Sequence, residues 1–260
     1  MKTAILLTIL TLAAPRAQAR ENPRENPYDL FGKTIQPFIA LFSKNAVGAN
    51  RAMAIEVRIV EASRPELAGQ TAHLAVESPD RILLRAPIMG TAVTLCRDGQ
   101  DIWAEPGAQI EALIAMASAQ GELPKPQKKY RLGNFELPIP EKQLVFLPVL
   151  FQVTDGGEVN LRGEICRVLD AKLMPELARS LKVEQWSLRL WVRADDKPAQ
   201  IQISSPEGRV VLAVERLAFS PVLPPETWQP APGETDVTHL TPVRYKQLLD
   251  AAMEQMQKPE

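Results

Sequence analysis

The chain has 260 residues, 45% of them apolar and 23% charged, with 30 Lys and Arg against 31 Asp and Glu. That near-neutral balance excludes the basic field a nucleic-acid partner requires. Two His and two Cys are a thin supply for a catalytic centre or a metal cluster, so no cofactor is expected.

Lys2, the apolar run 4–14 and Ala17-Gln18-Ala19 read as a positively charged start, a hydrophobic segment and a small-x-small cleavage site. Residues 1–19 are therefore expected to be a cleavable signal that exports the chain, a short buried helix being the alternative. Their removal takes away Lys2 and Arg16 and leaves 28 basic against 31 acidic side chains. No segment reaches the roughly 20 apolar residues of a membrane-spanning helix; the most apolar later run, 144–151, is interrupted by Pro148. No Cys follows the cleavage site, so acylation there is not expected. The remaining chain is long enough for one sizeable core.

Residues 20–27, with two prolines and nothing apolar to bury, read as a disordered leader. From Tyr28 to Asn45, Leu30, Phe31, Ile35, Phe38, Ile39, Leu41 and Phe42 recur at spacings near three and four, an amphipathic helix with a wide apolar face. After Gly48 the period becomes two: Met53, Ile55, Val57 and Ile59 alternate with Glu56 and Arg58. Further strands are predicted at 71–76, 81–86, 92–97 and 101–104, separated by turn chemistry such as Asp98-Gly99. This is the spacing of an antiparallel meander.

A helix is predicted over 109–120, ended by Gly121. Residues 123–140 carry four prolines and the basic Lys128, Lys129 and Arg131 and read as a long mobile loop, followed by an apolar helix at 141–151. The second half returns to strands at 158–168, 185–193, 198–204 and 210–219, with a helical break at 175–181. A proline-rich stretch, 221–232, and a terminal helix, 242–257, close the chain.

The chain carries no Gly-x-Ser-x-Gly, His-Glu-x-x-His, Cys-x-x-Cys or glycine-rich phosphate loop. His73 and His239 stand far apart, and Asp195-Asp196 falls in a turn, so no enzyme is expected. Cys96 and Cys166 would sit in an oxidising compartment after export, where a disulfide between them is permitted; two buried free thiols are the other reading. One-sided strands beside several apolar helices fit an α+β fold, a curved sheet lidded by helices.

Residues 78–106 resemble the strand and hairpin segment of LolA-like periplasmic proteins, through Pro79, Asp80 and Arg81 and then Asp98, Gly99, Ile102 and Trp103. Leu188 to Val192 with Pro198 to Ile201 and Gly208 is similar to the family's late hairpin, and Trp228, Pro232, Gly233 and Val237 to its closing segment. The resemblance spans residues 29–240 in the family's order. It implies an incomplete antiparallel barrel at 28–240 with helices lidding its concave face; the terminal helix, read from its spacing, then occupies a separate segment at 241–260. It also implies a periplasmic, monomeric, non-catalytic binder of an acyl chain, lipid or lipoprotein, with an envelope protein as a further partner. The expected cavity is lined by Ile55, Val57, Leu83, Val93 and Leu95, with Phe31, Phe38 and Phe42 as lid; Arg58 and Arg85 are candidates for the family's lid-contacting arginine. A filled hollow, with the 125–131 loop or the terminal helix docking a protein, is the alternative.

Overall fold

A computed structural model describes residues 25–44, 51–88, 91–119, 133–135, 137–140, 146–206, 208–246 and 248. The expected signal peptide and most of the leader therefore lie outside the described residues.

Helix α1, Pro27–Ala40, starts where the leader was expected to end in disorder. The Asn26 side chain accepts a hydrogen bond from the Tyr28 amide at 2.9 Å, and Pro27 occupies the first turn, where its missing N–H costs nothing. The helix runs on through Pro37 to Leu41, which is fully buried.

Five strands follow as one meander: β2 (Ala52–Ala62), β3 (Thr71–Glu77), β4 (Arg81–Ile88), β5 (Thr91–Asp98) and β6 (Asp101–Glu105), each antiparallel to the next. Helix α2, Gly107–Ala119, turns back from it. A second meander is built from β8 (Phe151–Leu161), β9 (Glu164–Leu173), β10 (Ser187–Val192), β11 (Pro198–Ser205) and β12 (Gly208–Ser220), with the short helix α3, Pro175–Leu181, between β9 and β10. Strand β12 pairs antiparallel with β2 and joins the two meanders. With β13, Thr238–His239, on β6, the eleven strands run β13-β6-β5-β4-β3-β2-β12-β11-β10-β9-β8, open at both ends. The α+β architecture, a curved antiparallel sheet that does not close, is the one expected.

Alternation assigns the two faces. Met53, Ile55 and Val76 pack with Leu41 and Val214 beneath the end of α1, and Val93, Ile102 and Ala104 pack with Ile110 and Ile114 of α2. The residues one step out of phase, Ala52, Ala75, Leu83, Cys96 and Trp103, form a separate cluster on the opposite face under Leu223 and Trp228. The proline-rich stretch is thus a strap. The Trp228 carbonyl accepts from Trp103 Nε1 at 2.9 Å, and Glu77 accepts from the Leu223 amide at 2.7 Å. Asp236 holds the start of α2, its carbonyl accepting from Gly107 N and its carboxylate from Ala108 N.

Three expectations are corrected. Residues 137–140 are not loop but strand β7 (Leu137–Pro140), paired in parallel with β1 (Ser43–Lys44), while 123–132 fall outside the described residues. Arg97 anchors residues 133–135: it donates to the Gly133 carbonyl and lies 4.8 Å from the Phe135 ring. Of the apolar helix expected at 141–151, residues 141–145 lie outside the described residues, while 147–150 make one 3-10 turn around Pro148, after which β8 begins at Phe151. The single strand expected at 158–168 is a hairpin. Its two-residue turn places Arg162 (φ 56°) and Gly163 (φ 88°) in the left-handed region, which suits the twist of the flanking strands. Strand β8 escaped detection because it is the sheet's edge: Asp155, Gly156 and Gly157 break its alternation at a bulge. Of the terminal helix, residues 242–246 and 248 are described and helical.

Candidate functional site

Helix α1 presents Phe31, Thr34, Ile35, Phe38 and Ile39 on one face, the i, i+3, i+4, i+7, i+8 stripe of an amphipathic helix. Beneath it the second meander contributes Phe151 from β8, Leu188 and Leu190 from β10, and Pro198 and Ile201 from β11. The two layers do not meet fully. They leave a cavity of about 390 Å³ lined by these ten residues, within the roughly 300–1,000 Å³ of small-molecule sites.

The register explains the apolar wall. Leu190 stands opposite both Leu169 and Ile201, and Leu188 opposite Ala171 and Ile203, so one parity of three neighbouring strands faces α1. The intervening Arg189 faces away and forms a bidentate pair with Asp170 at 2.6 and 3.0 Å. Among the described lining residues the one hydroxyl is consumed locally, since Thr34 Oγ1 donates to the Leu30 carbonyl at 2.8 Å. Among the described residues no charged side chain lines the cavity. At the N-terminal end of α1, Leu30 and Phe31 seal it against Val153, Leu169, Ala171 and Val192, with the Phe31 and Phe151 rings edge to face at 5.2 Å. Towards the other end Phe38 meets Phe219 in the same geometry, also at 5.2 Å.

Of the expected cavity residues, Phe31 and Phe38 line the space. Phe42, Ile55 and Val57 belong to the adjoining packed cluster with Leu41, Met53 and Val214. Val93 and Leu95 lie under α2. Leu83 is on the opposite face, beside Cys96 and Trp103 beneath the strap, because its pleat position pairs with Ala75 and Cys96. Arg58 and Arg85 share that outward parity: Arg58 pairs with Glu215 at 3.0 Å, and Arg85 donates to Thr94 and Glu105. Neither reaches α1. Phe151, Leu188, Leu190, Pro198 and Ile201 went unassigned, although the alternation Leu188-Arg189-Leu190 and Ile201-Gln202-Ile203 carries the signal.

Cys96 and Cys166 are buried free thiols, not a disulfide. Six strands intervene between β5 and β9 in the sheet, whereas a disulfide needs Cα atoms within about 7 Å. Burial pushes the Cys96 thiol up to about 12, which removes it as a nucleophile. Among the described residues no group of His, Cys, Asp and Glu could hold a metal ion, and no helix is long and apolar enough to cross a membrane.

Several solved structures are similar to the chain, all at low sequence identity. The MucA/MucB complex of Pseudomonas aeruginosa matches with 15% identity over 83% of this chain and 63% of that chain, at a TM-score of 0.38. Lipoprotein LppX of Mycobacterium tuberculosis matches with 10% identity over 76% of this chain and 99% of that one, at 0.38. A LolA superfamily protein of Nitrosomonas europaea matches with 11% identity over 78% and 97%, at 0.29. The chain spans 62–63% of the length of the MucB chains in two of the matched structures. No protein-family model matches the sequence, and no curated protein is similar to it.

Proposed function

We propose that this protein is a non-catalytic carrier or sensor, working in the periplasm as a monomer, that holds an acyl chain of a lipid or lipoprotein between α1 and the second meander. The observation that carries the reading is the cavity of about 390 Å³ whose ten lining residues offer no free polar group. A preformed apolar space of this kind rewards methylenes and rejects charge. At ~0.8 kcal/mol per buried CH₂, about ten methylenes gain on the order of 8 kcal/mol, the micromolar range before ordering costs. The charged end of such a ligand has no partner inside and stays in water at the mouth.

The test is to plug the cavity. Ile35 lies on the cavity face of α1 and is only partly buried, so Ile35→Trp can occupy the space from the helix side. The variant should fold with a stability loss of no more than about 1–3 kcal/mol and should lose displacement of a fluorescent fatty acid by dodecanoate. A folded Ile35→Trp protein that still binds with parental affinity would falsify the assignment. Native mass spectrometry of the exported protein would identify the chain it carries.

A further inference from the structure

Half of the exposed large apolar side chains among the described residues gather at one end of the second meander: Phe146, Val149, Leu150, Met174, Leu181 and Trp186. Single exposed apolar residues are ordinary, but a cluster of this composition is not. Backbone contacts hold the group together. The Met174 amide donates to the Leu150 carbonyl at 2.8 Å, Phe151 stands opposite Leu173, and the loop after α3 returns through Val183 and Trp186 to β10. Phe146 and Trp186 are 66% and 45% exposed, although Trp103 and Trp228 are buried.

This end is also the rim of the cavity. Leu150 precedes Phe151 and Trp186 lies two residues before Leu188, and both Phe151 and Leu188 line the space under α1. The exposed groups stand on a 3-10 turn and a seven-residue helix, Leu147–Leu150 and α3. Lys172, Arg179 and Lys182 are exposed around them, against Glu176 and Glu184, in a chain whose overall balance is slightly acidic. Exposed Trp and Phe on short projecting elements, flanked by lysines, suit the boundary between headgroups and acyl chains.

We infer that this rim docks the protein on a lipid bilayer, with Phe146, Val149 and Trp186 entering the interface and the basic residues contacting anionic headgroups. The inference rests on the acyl-chain reading of the cavity. Docked this way, the mouth between α1 and β10 faces the membrane, and a chain moves between bilayer and cavity without crossing water.

The experiment is flotation of the full exported protein with mixed phosphatidylcholine and phosphatidylglycerol vesicles, set beside dodecanoate binding in solution. The parent should float. Phe146→Ser/Val149→Ser/Trp186→Ser should lower the floating fraction at least about tenfold, the scale of losing a few buried apolar groups, with dodecanoate affinity unchanged. Brominated lipids should quench the parent's fluorescence by an amount that Trp186→Phe, which still floats, does not show. A parent that binds dodecanoate but not vesicles overturns the docking inference and turns the rim into a protein-binding surface. A parent that floats but binds no dodecanoate instead overturns the acyl-chain reading and leaves the docking intact. Parental flotation of the triple variant overturns the assignment of these residues.

Discussion

Replacing Phe31 by Ala tests the helix, the cavity and its occupant together. Phe31 is 1% exposed; its ring packs among Leu30, Val153, Leu169 and Leu190 and lies 5.2 Å from Phe151. Removing a buried phenyl ring costs roughly 3–5 kcal/mol, and losing an edge-to-face partner adds roughly 0.5–1.5. One flank of the ring already borders the cavity, so fewer contacts are lost than in a closed core, and about 3–4 kcal/mol is expected. That is a large share of the roughly 5–15 kcal/mol that holds a domain folded. Urea unfolding followed by far-UV circular dichroism measures the loss as a shift of the midpoint at unchanged slope.

The same variant makes a prediction about ligand. Dodecanoate can occupy the space the ring leaves, so at equal excess it should restore to Phe31→Ala a larger stability increment than it gives the parent. Binding at about a hundred times the dissociation constant stabilises by about 2.7 kcal/mol, well above the resolution of the assay. Phe42→Ala is the control. Phe42 packs with Met53, Ile55 and Val57 outside the cavity, so its truncation should lower stability and leave dodecanoate affinity alone. A loss below about 1 kcal/mol for Phe31→Ala, the size of an average substitution, would refute the packing described for α1. Equal effects of Phe31→Ala and Phe42→Ala on binding would refute the position of the cavity.

Three further outcomes follow from the rest of the sheet. Asp236→Ala removes the acceptor for the Ala108 amide at the start of α2 and should lower stability by about 1 kcal/mol, with Asp236→Asn recovering most of it in urea titrations. Burial, reinforced by Arg85, lowers the pKa of His73 below its usual 6.5, against the pull of Glu56. The unfolded chain therefore takes up the proton first, so stability contributed by neutral His73 is present above pH 6.5 and is lost as pH falls towards the depressed folded value. His73→Gln should flatten that part of the stability profile. Cys96, with its thiol near 12, is thiolate at pH 8 to only roughly one part in 10⁴; native-state alkylation should be slow and should accelerate sharply when urea lifts the strap that carries Trp228 off Cys96.

Where a strand has one wet face, its residues announce it. Ile55, Val57 and Ile59 against Glu56 and Arg58 locate β2 within a residue or two, and Asp98-Gly99 locates the β5–β6 turn. Period two also states which residues share a face, but not which face a helix will cover on the next strand. Val57 and Leu83 look equivalent by sequence; pairing decides between them, because the β3–β4 register sets Leu83 opposite Ala75 and out of phase with Val57. The edge strand β8 had no period to read, its middle being Asp155-Gly156-Gly157-Glu158. Gly156 is there for contact, since a Cβ would stand 2.9 Å from Val168 Cγ1. Such a requirement comes from the neighbouring strand and is invisible in the segment itself.

The cavity lies under the second meander because of what α1 meets along its length. At its C-terminal end Leu41 reaches the central strands, where Met53, Ile55, Val76 and Val214 enclose it completely. At its N-terminal end Leu30 and Phe31 reach β8 and β9, and the Tyr28 hydroxyl accepts from the Val153 amide of the edge strand at 3.3 Å. Between these two anchorages the helix bridges β10 and β11, where it offers Ile35, Phe38 and Ile39 above Leu188, Leu190 and Ile201 and the surfaces stand apart. A straight helix laid across a twisted, open sheet contacts it well at two places and poorly between them. The apolar residues in that gap gain little from each other, and an inserted acyl chain supplies the contacts they lack. Binding should therefore tighten the middle of α1 more than its ends. Amide exchange at residues 34–36 and 38, compared with 29–31, should slow on adding dodecanoate; uniform protection along the helix would instead mean that the ligand acts through the anchorages.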